Sequence, residues 1–178
     1  VTVTARIDLL PYSNCGETKP PIDLVMLIDI SNSMTGEPLT QAVAGAERLL
    51  DMLDFSKDQA AIALFNNSVV GHTGLTDNRE ALRTVLQNAV ADGGTNIEVG
   101  LSSAQNDLVG LRRRFDALPV IVLFSDGGSE DVAAAQDMAR SIKENGARVF
   151  VVGLQGSDFN EPLLSEIASD PSTLLSTP

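Results

Sequence analysis

The chain has 178 residues, a formal net charge of −12 and a sequence pI near 4.3. Such an acidic surface repels nucleic-acid phosphates and anionic lipid headgroups, which argues against both as partners. Hydrophobic residues make up 43% and aromatic residues 4%. No apolar run approaches the roughly 20 residues of a bilayer span. We therefore expect one globular domain with an aliphatic core and no direct membrane insertion.

The first 20 residues differ from the rest of the chain. Apolar and polar residues alternate from Val1 to Leu9, which predicts a half-buried strand at a sheet edge. Pro11, Gly16 and Pro21 then mark a loop. We divide the chain into an N-terminal strand-and-loop extension, residues 1–20, and a domain of residues 21–178. Because the sequence begins with Val1 rather than Met, we expect a monomeric domain of a larger chain.

Strands and helices alternate through the rest of the sequence. Apolar runs predict strands buried on both faces at 22–28, 60–65, 118–124 and 147–154. Shorter strands are predicted at 68–72, after the Asn66-Asn67 turn, and at 173–176. Apolar residues at helical spacing predict helices at 38–53, 77–89, 97–111, 129–145 and 162–168. This order indicates a doubly wound α/β fold, with a mostly parallel six-stranded sheet and helices on both faces.

Local signals predict where two of these helices begin and end. Asp77 followed by Glu80 resembles a capping box before the second helix. Ser129 is a candidate N-cap for the fourth helix, whose inward side would include Val132, and Gly146 is its predicted left-handed stop.

Three turns carry oxygen-bearing side chains. The first predicted buried strand ends in Asp29-x-Ser31-x-Ser33, a Gly-Gly pair precedes Thr95, and the strand at 118–124 ends before Asp126. Carboxylate and hydroxyl oxygens are hard ligands that suit Mg²⁺, Mn²⁺ or Ca²⁺ better than zinc or copper. Ligands of open α/β sheets bind at the carboxyl ends of the strands, where these turns are expected.

With these motifs, the sequence resembles a von Willebrand factor A (vWA) domain, also called an integrin I-type domain. The hallmark of that family is the metal-ion-dependent adhesion site (MIDAS), made of Asp-x-Ser-x-Ser, a distant Thr and a later Asp. The resemblance covers roughly residues 21–176 in the same order and strand context. It implies a Rossmann-like fold and a metal site formed by Asp29, Ser31, Ser33, Thr95 and Asp126.

By this resemblance, Ser31 and Ser33 would ligate the metal directly. Thr95 would join directly or through water, while Asp29 and Asp126 would hold coordinating waters. The implied function is a non-enzymatic binding module whose Mg²⁺, Mn²⁺ or Ca²⁺ ligates an Asp or Glu of a partner protein, in adhesion or complex assembly. An extracellular or cell-surface location is favoured over a cytoplasmic one. We expect the C-terminal helix that couples site to partner in integrin-type members to be absent or to lie beyond residue 178.

Two alternatives stay open. One is a magnesium-dependent phosphoryl-transfer enzyme with Asp29 as nucleophile. Haloacid-dehalogenase-like phosphatases carry a second Asp two residues later, where this chain has Ser31, and Asp29 has no evident acid/base partner. The other alternative is a structural or assembly domain with an idle metal site.

Four further features receive ordinary structural interpretations. His72 has no second soft ligand and is interpreted as a surface or part-buried histidine. The Arg112-Arg113-Arg114 run is expected to complement the negative end of a helix, in preference to binding phosphate or an acidic partner. Asn66-Asn67-Ser68 matches a glycosylation sequon that is frequent by chance. Cys15, the only cysteine, is interpreted as inert or prone to crosslinking.

Overall fold

The computed structural model describes residues 19–176. One sheet contains six strands: β1 Ile22–Asp29, β2 Gln59–Phe65, β3 Val69–His72, β4 Leu118–Ser125, β5 Arg148–Gly153 and β6 Leu174–Ser176. Their order across the sheet is β3-β2-β1-β4-β5-β6, and only the β2–β3 pair is antiparallel. This is the mostly parallel six-stranded sheet that the sequence predicts. The strand predicted at residues 1–9, and Cys15, lie outside the described residues.

Five α-helices cover both faces of the sheet: α1 Glu37–Met52, α2 Arg79–Gln87, α3 Ile97–Val109, α4 Val132–Glu144 and α5 Glu161–Ile167. The core has two halves because successive side chains of a strand point to opposite faces. Val25 and Leu27 of β1 pack with α3, α4 and α5, whereas Met26 and Ile28 pack with α1 and α2. The predicted doubly wound α/β fold is confirmed. None of the helices in residues 19–176 combines the length and apolarity that crossing a membrane requires.

Strand β1 lies at the centre of the sheet, and the order of the chain reverses beside it. The connection through α1 leads from β1 to β2 on one side, while β4 pairs with β1 on the other. In sheets of this kind the crevice for a ligand opens at the carboxyl ends of the strands where the order reverses. Asp29 ends β1 and Asp126 follows β4 at this position.

Helix starts differ by one or two residues from the sequence predictions. The N-cap of α2 is Asn78, whose side chain accepts a hydrogen bond from Ala81 N (3.2 Å), so the capping box predicted from Asp77 is wrong. Helix α4 is capped by Asp131, which accepts from Ala134 N (2.9 Å), rather than by Ser129. In each case Asn or Asp directly before the first helical turn takes the cap position. Such short polar acceptors compete for the same free N–H groups.

Two apolar residues near helix ends point to solvent instead of to the core. Helix α3 ends at Val109, so Leu111, predicted to continue its apolar stripe, lies beyond the helix and is fully exposed. Val132 begins α4 and is 38% exposed. The predicted stop at Gly146 is confirmed by its position after α4 and its φ of +88°.

Arg114 forms a partly buried ion pair with Asp23 instead of complementing the end of α3. The Asp23 side chain is 1% exposed and accepts bonds from Arg114 Nη2 (2.7 Å), Nε (3.0 Å) and backbone N (2.9 Å). Helix α3 ends at Val109, so the arginine run that begins at Arg112 lies outside it, and its last turn has no basic residue. The pair joins the start of β1 to the segment that leads into β4.

We predict that Arg114→Ala lowers the free energy of unfolding by about 3 kcal/mol, because it leaves the Asp23 carboxylate buried without its cation. Urea unfolding followed by circular dichroism measures the change. The matched control is Arg140→Ala, which removes an exposed ion pair with Asp137; a change below about 0.5 kcal/mol is expected there. Equal effects of the two substitutions would contradict the assignment.

His72 pairs with a side chain of α3. Its Nε2 lies 2.8 Å from Oδ2 of Asp107, and the two side chains are 39% and 10% exposed. The hydrogen bond to Asp107 raises the pKa of His72 above its ordinary value, while partial burial opposes the rise. The part-buried histidine interpreted from the sequence thus ties edge strand β3 to α3.

We predict that His72→Gln costs more stability near pH 5.5 than near pH 8.5. Because the pKa of His72 is higher in the folded protein than in the unfolded chain, protonation of His72 favours folding. This stabilisation is complete at pH values below the unfolded-state pKa of about 6.5, and it is lost as the pH rises through the folded-state pKa. Solvent screening keeps the difference below about 1 kcal/mol. Because His72 is the only histidine, its imidazole NMR signal reports the pKa directly. Asp107→Asn should lower that pKa, and an unchanged value would refute the pairing.

Candidate metal site

A cleft of about 290 Å³ opens at the carboxyl ends of β1 and β4. It is lined by side chains and backbone from the loops after β1, before α3, after β4 and after β5. The lining residues are polar, acidic or glycine: Ser31, Asn32, Ser33, Gly93, Gly94, Thr95, Gly128, Ser129, Glu130 and Asp158. Hydroxyl and carboxylate oxygens therefore dominate its chemistry.

The three hydroxyl-bearing residues predicted as ligands line this cleft together. Ser31 and Thr95 are buried, at 1% and 8% exposure, and Ser33 is half-buried. The hydroxyl oxygens of Ser31 and Ser33 lie 3.0 Å apart. Residues Asn32–Met34 form one turn of 3-10 helix, which brings the two serines onto the same side of the loop.

Asp29 lies beneath the cleft and does not line it. It is 0% exposed; Oδ1 accepts from the backbone N–H of Ser31 (2.9 Å) and Oδ2 from the hydroxyl of Ser125 (2.6 Å). Burial raises the pKa of Asp29 to about 6, against the lowering effect of the bonds from Ser125 and Ser31, and the nearby Asp126 charge adds to the rise. Asp29 thus joins the end of β1 to the end of β4.

Asp126 is also fully buried, and one of its oxygens has no partner. Oδ1 accepts from Gly128 N at 3.2 Å, but Oδ2 receives no hydrogen bond from any residue between 19 and 176. An unpaired carboxylate oxygen in a protein interior is costly and is normally compensated by a donor, water or cation. The unsatisfied carboxylate and the neighbouring hydroxyl-lined cleft fit a hard divalent cation with some of its ligands supplied by water.

Carboxylates alone cannot account for such a site. Within residues 19–176, no three His, Cys, Asp or Glu side chains cluster closely enough to hold a metal ion. An ion in this cleft would depend on the neutral hydroxyls of Ser31, Ser33 and Thr95.

Backbone hydrogen bonds join the loops that form the cleft. Asn32 N donates to Gly93 O (3.0 Å), Glu130 N to Thr95 O (2.9 Å), and Asn160 N to Asp126 O (2.7 Å). The loops after β1, before α3, after β4 and after β5 are therefore connected in series. The geometry of the hydroxyl groups follows from the fold and not from one flexible turn.

Asn67 is a further contributor that the sequence motifs did not reveal. Its Oδ1 accepts from Gly94 N (2.6 Å) and its Nδ2 donates to Glu130 Oε1 (2.6 Å), so one side chain joins three loops. A Cβ at position 94 would lie 2.8 Å from Asn67 Nδ2, which explains the glycine there. In the neighbouring sequon residue, Asn66, the side-chain nitrogen donates to Asp92 O (2.9 Å).

Comparisons with known proteins point to one family. The sequence model of the von Willebrand factor type A domain matches residues 23–177. The collagen alpha-1(XII) chain of Notophthalmus viridescens is 31% identical over 165 residues, an alignment that covers 88% of this chain and 17% of the collagen. This chain therefore spans under a fifth of that relative.

Two solved structures illustrate the shared fold. The manganese-loaded TRAP protein of Plasmodium vivax superposes with a TM-score of 0.75 at 19% identity, covering 89% of this chain and 68% of that one. Proximal thread matrix protein 1 of the mussel byssus, with a zinc-occupied MIDAS motif, superposes with a TM-score of 0.75 at 23% identity, covering 90% and 44%. At these identities the likeness shows the fold alone.

We predict that Ser125→Ala lowers the free energy of unfolding by about 1–3 kcal/mol without added metal, because it removes the donor to a buried carboxylate oxygen. Ser129→Ala is the matched control, since the Ser129 hydroxyl has no hydrogen-bond partner among the described residues, and it should be nearly neutral. Denaturant unfolding in EDTA provides the comparison. A neutral Ser125→Ala would show that Asp29 does not depend on this bond.

Proposed function

Since the chain belongs to the von Willebrand factor type A domain family, we propose that it is a non-enzymatic protein-binding module with a divalent-cation site of the MIDAS type. The cation would be held by Ser31, Ser33 and Thr95 above the buried carboxylates of Asp29 and Asp126. It would ligate an Asp or Glu side chain of a partner protein. The observation that carries this proposal is the meeting of the Ser31, Ser33 and Thr95 side chains in one cleft, next to the buried Asp126, whose Oδ2 receives no hydrogen bond from residues 19–176.

The spacing of the serine hydroxyls supports the choice of ion. Neighbouring ligands of an octahedral Mg²⁺, at about 2.1 Å from the ion, are separated by about 3 Å. The hydroxyl oxygens of Ser31 and Ser33 lie 3.0 Å apart. The larger Ca²⁺ would need a wider pair, so we propose Mg²⁺ or Mn²⁺ ahead of Ca²⁺. The Mn²⁺ and Zn²⁺ named for the two structural neighbours favour a divalent ion without selecting one.

The donor set favours binding an outside carboxylate. Neutral hydroxyls leave most of the charge of a divalent ion uncompensated, and the ion keeps a strong preference for an anionic oxygen ligand. Among the residues that line the cleft, Ser33 and Gly94 are partly exposed and Asp158 is exposed. A partner carboxylate would complete the coordination there.

The geometry of Asp29 speaks against the phosphoryl-transfer alternative. A nucleophilic carboxylate must present a free oxygen to the phosphorus. Both oxygens of Asp29 accept hydrogen bonds, and the side chain is 0% exposed. Trapping of an aspartyl-phosphate at Asp29 would overturn the non-enzymatic proposal.

The relatives support adhesion or complex assembly as the biological setting. A collagen chain and a thread matrix protein carry comparable domains within longer chains. We propose an extracellular or cell-surface location, with this domain acting as one monomeric module of a larger protein.

We predict that Mg²⁺ or Mn²⁺ raises the thermal midpoint of the wild-type protein, because an ion that binds only the folded state adds to its stability. Ser33→Ala should reduce the affinity for Mn²⁺ at least about tenfold, since loss of even an outer-shell contact typically costs that much. Differential scanning calorimetry measures the thermal midpoint, and isothermal titration calorimetry measures the affinity for Mn²⁺.

Ser129→Ala serves as the control, because Ser129 lines the same cleft without being a proposed ligand. Its Mn²⁺ affinity should match that of the wild type. If Ser33→Ala and Ser129→Ala bind Mn²⁺ equally well, the proposed ligand set is wrong.

A further inference from the structure

A second, smaller cleft lies at the end of the sheet opposite to the proposed metal site. It has a volume of about 40 Å³ and opens between the ends of α3 and α4, where β4 and β5 begin. We call it the basal cleft. Among the described residues that line it, Arg113 alone carries a charge, and most of the others are apolar: Leu108, Val109, Pro119, Ile142 and Ala147.

The guanidinium of Arg113 lacks a hydrogen-bond acceptor. Its Nε is inaccessible to solvent and donates to no atom of residues 19–176. The neighbouring Arg114 is paired with Asp23, whereas Arg113 forms no ion pair with the described part of the chain. A buried donor without an acceptor is costly, and proteins normally supply one. An acceptor brought by a partner would therefore be bound favourably at Arg113.

The surroundings of Arg113 hold its guanidinium in place. The central carbon Cζ lies 5.4 Å from the centre of the Phe115 ring, a cation–π contact. The backbone N of Arg113 donates to Gly110 O at 3.2 Å and closes a turn after α3. A carboxylate can accept from Nε and a terminal nitrogen of such a planar group at the same time. A carboxylate is therefore the acceptor that fits best.

Large apolar side chains beside the basal cleft are exposed. Val109 and Phe115 are 67% and 91% exposed, and Leu111 is fully exposed in the turn between them. Exposed apolar and aromatic side chains next to an arginine are typical of surfaces that bind proteins. Sites for free small molecules are larger, at about 300–1,000 Å³. The basal cleft has room for the tip of one side chain, so a protein segment suits it better.

Charge favours a short acidic segment over an extended anionic surface. Arg112 is exposed beside Arg113 and also forms no ion pair within residues 19–176, and the exposed Asp116 offsets only one of these two charges. The arginines attract a carboxylate at short range. The overall charge of −12 opposes approach to an anionic membrane, where many charges act together.

We propose that the basal cleft docks an Asp or Glu of a partner protein that is flanked by apolar residues. The carboxylate accepts hydrogen bonds from Arg113, and the flanking apolar side chains cover Leu111 and Phe115. This contact requires no metal ion, and it lies at the other end of the sheet from the proposed metal site. The domain can therefore hold two partner segments at once, one at each end.

The experiment uses the wild-type chain in EDTA, so that a metal-bridged contact does not contribute. Two peptides of equal length carry Leu-Glu-Phe or Leu-Gln-Phe between serines, and NMR shifts of the ¹⁵N-labelled protein measure their dissociation constants. The Glu peptide should bind about tenfold more tightly, as expected for charge-assisted hydrogen bonds to a partly buried guanidinium. It should also shift the Nε–H signal of Arg113 downfield, because that atom gains an acceptor.

The variant Arg113→Gln should bind the two peptides within about twofold of each other, since it lacks the guanidinium. The matched control is Arg112→Gln, which removes the same charge from the adjacent exposed residue and should keep the preference for Glu. Leu111→Ser should weaken both peptides by a similar factor and also keep that preference, because it removes apolar contact while Arg113 stays.

Four results would overturn the inference. The first is equal affinity of the wild type for both peptides, or a preference that survives in Arg113→Gln. The second is displacement of the Glu peptide by inorganic phosphate at constant ionic strength, which assigns Arg113 to phosphate. The third is binding to phosphatidylserine vesicles that Arg113→Gln abolishes, which assigns the surface to a membrane. The fourth is a dimer in sedimentation that Arg113→Gln dissociates, which assigns the cleft to a second copy of the chain.

Discussion

The buried Asp29 carboxylate is the constraint on which the site depends. It ends the central strand and is 0% exposed, so its two oxygens need hydrogen-bond donors within the site. The backbone N–H of Ser31 and the hydroxyl of Ser125 provide this. The first bond sets the course of the chain as it leaves β1, and the second ties that loop to the end of β4. The positions of Ser31 and Ser33 follow from the same requirement.

The sequence predicted the features that arise from local pattern. Apolar runs long enough to cross the core identified the four inner strands, because a parallel sheet covered on both faces tolerates few polar residues. The expectation that Asp29, Thr95 and Asp126 meet followed from the resemblance to the vWA family, and the rule that ligands bind at the carboxyl ends of strands agreed with it for the turn at Asp29. The structure places Ser31, Ser33 and Thr95 around one cleft. Asp29 and Asp126 are buried, and each accepts a backbone hydrogen bond from a residue that lines the cleft, Ser31 and Gly128.

The features that the sequence did not reveal depend on contacts between distant segments. Asn67 bridges Gly94 and Glu130, and no local pattern indicates that a turn residue reaches two other loops. Arg114 was assigned to a helix end, but its partner Asp23 lies 91 residues earlier in the chain. The shift of the α4 cap from Ser129 to Asp131 shows the same limit on a smaller scale. Several adjacent residues can cap a helix, and the path of the preceding loop decides which of them does.

The carboxylates of the site divide into buried and exposed pairs, and their environments suit different roles. Asp29 and Asp126 are inaccessible to a partner, so they act on the cleft through charge and through the loops they hold. Glu130 and Asp158 reach solvent at the opening, where they act on whatever approaches. Neutral hydroxyls lie between the two pairs. A carboxylate in place of one of these serines would compensate more of the charge of a bound ion. The ion would then bind an anionic oxygen of a partner less strongly. On the proposed function, binding strength therefore depends on keeping negative charge below and around the ion, but out of its direct coordination.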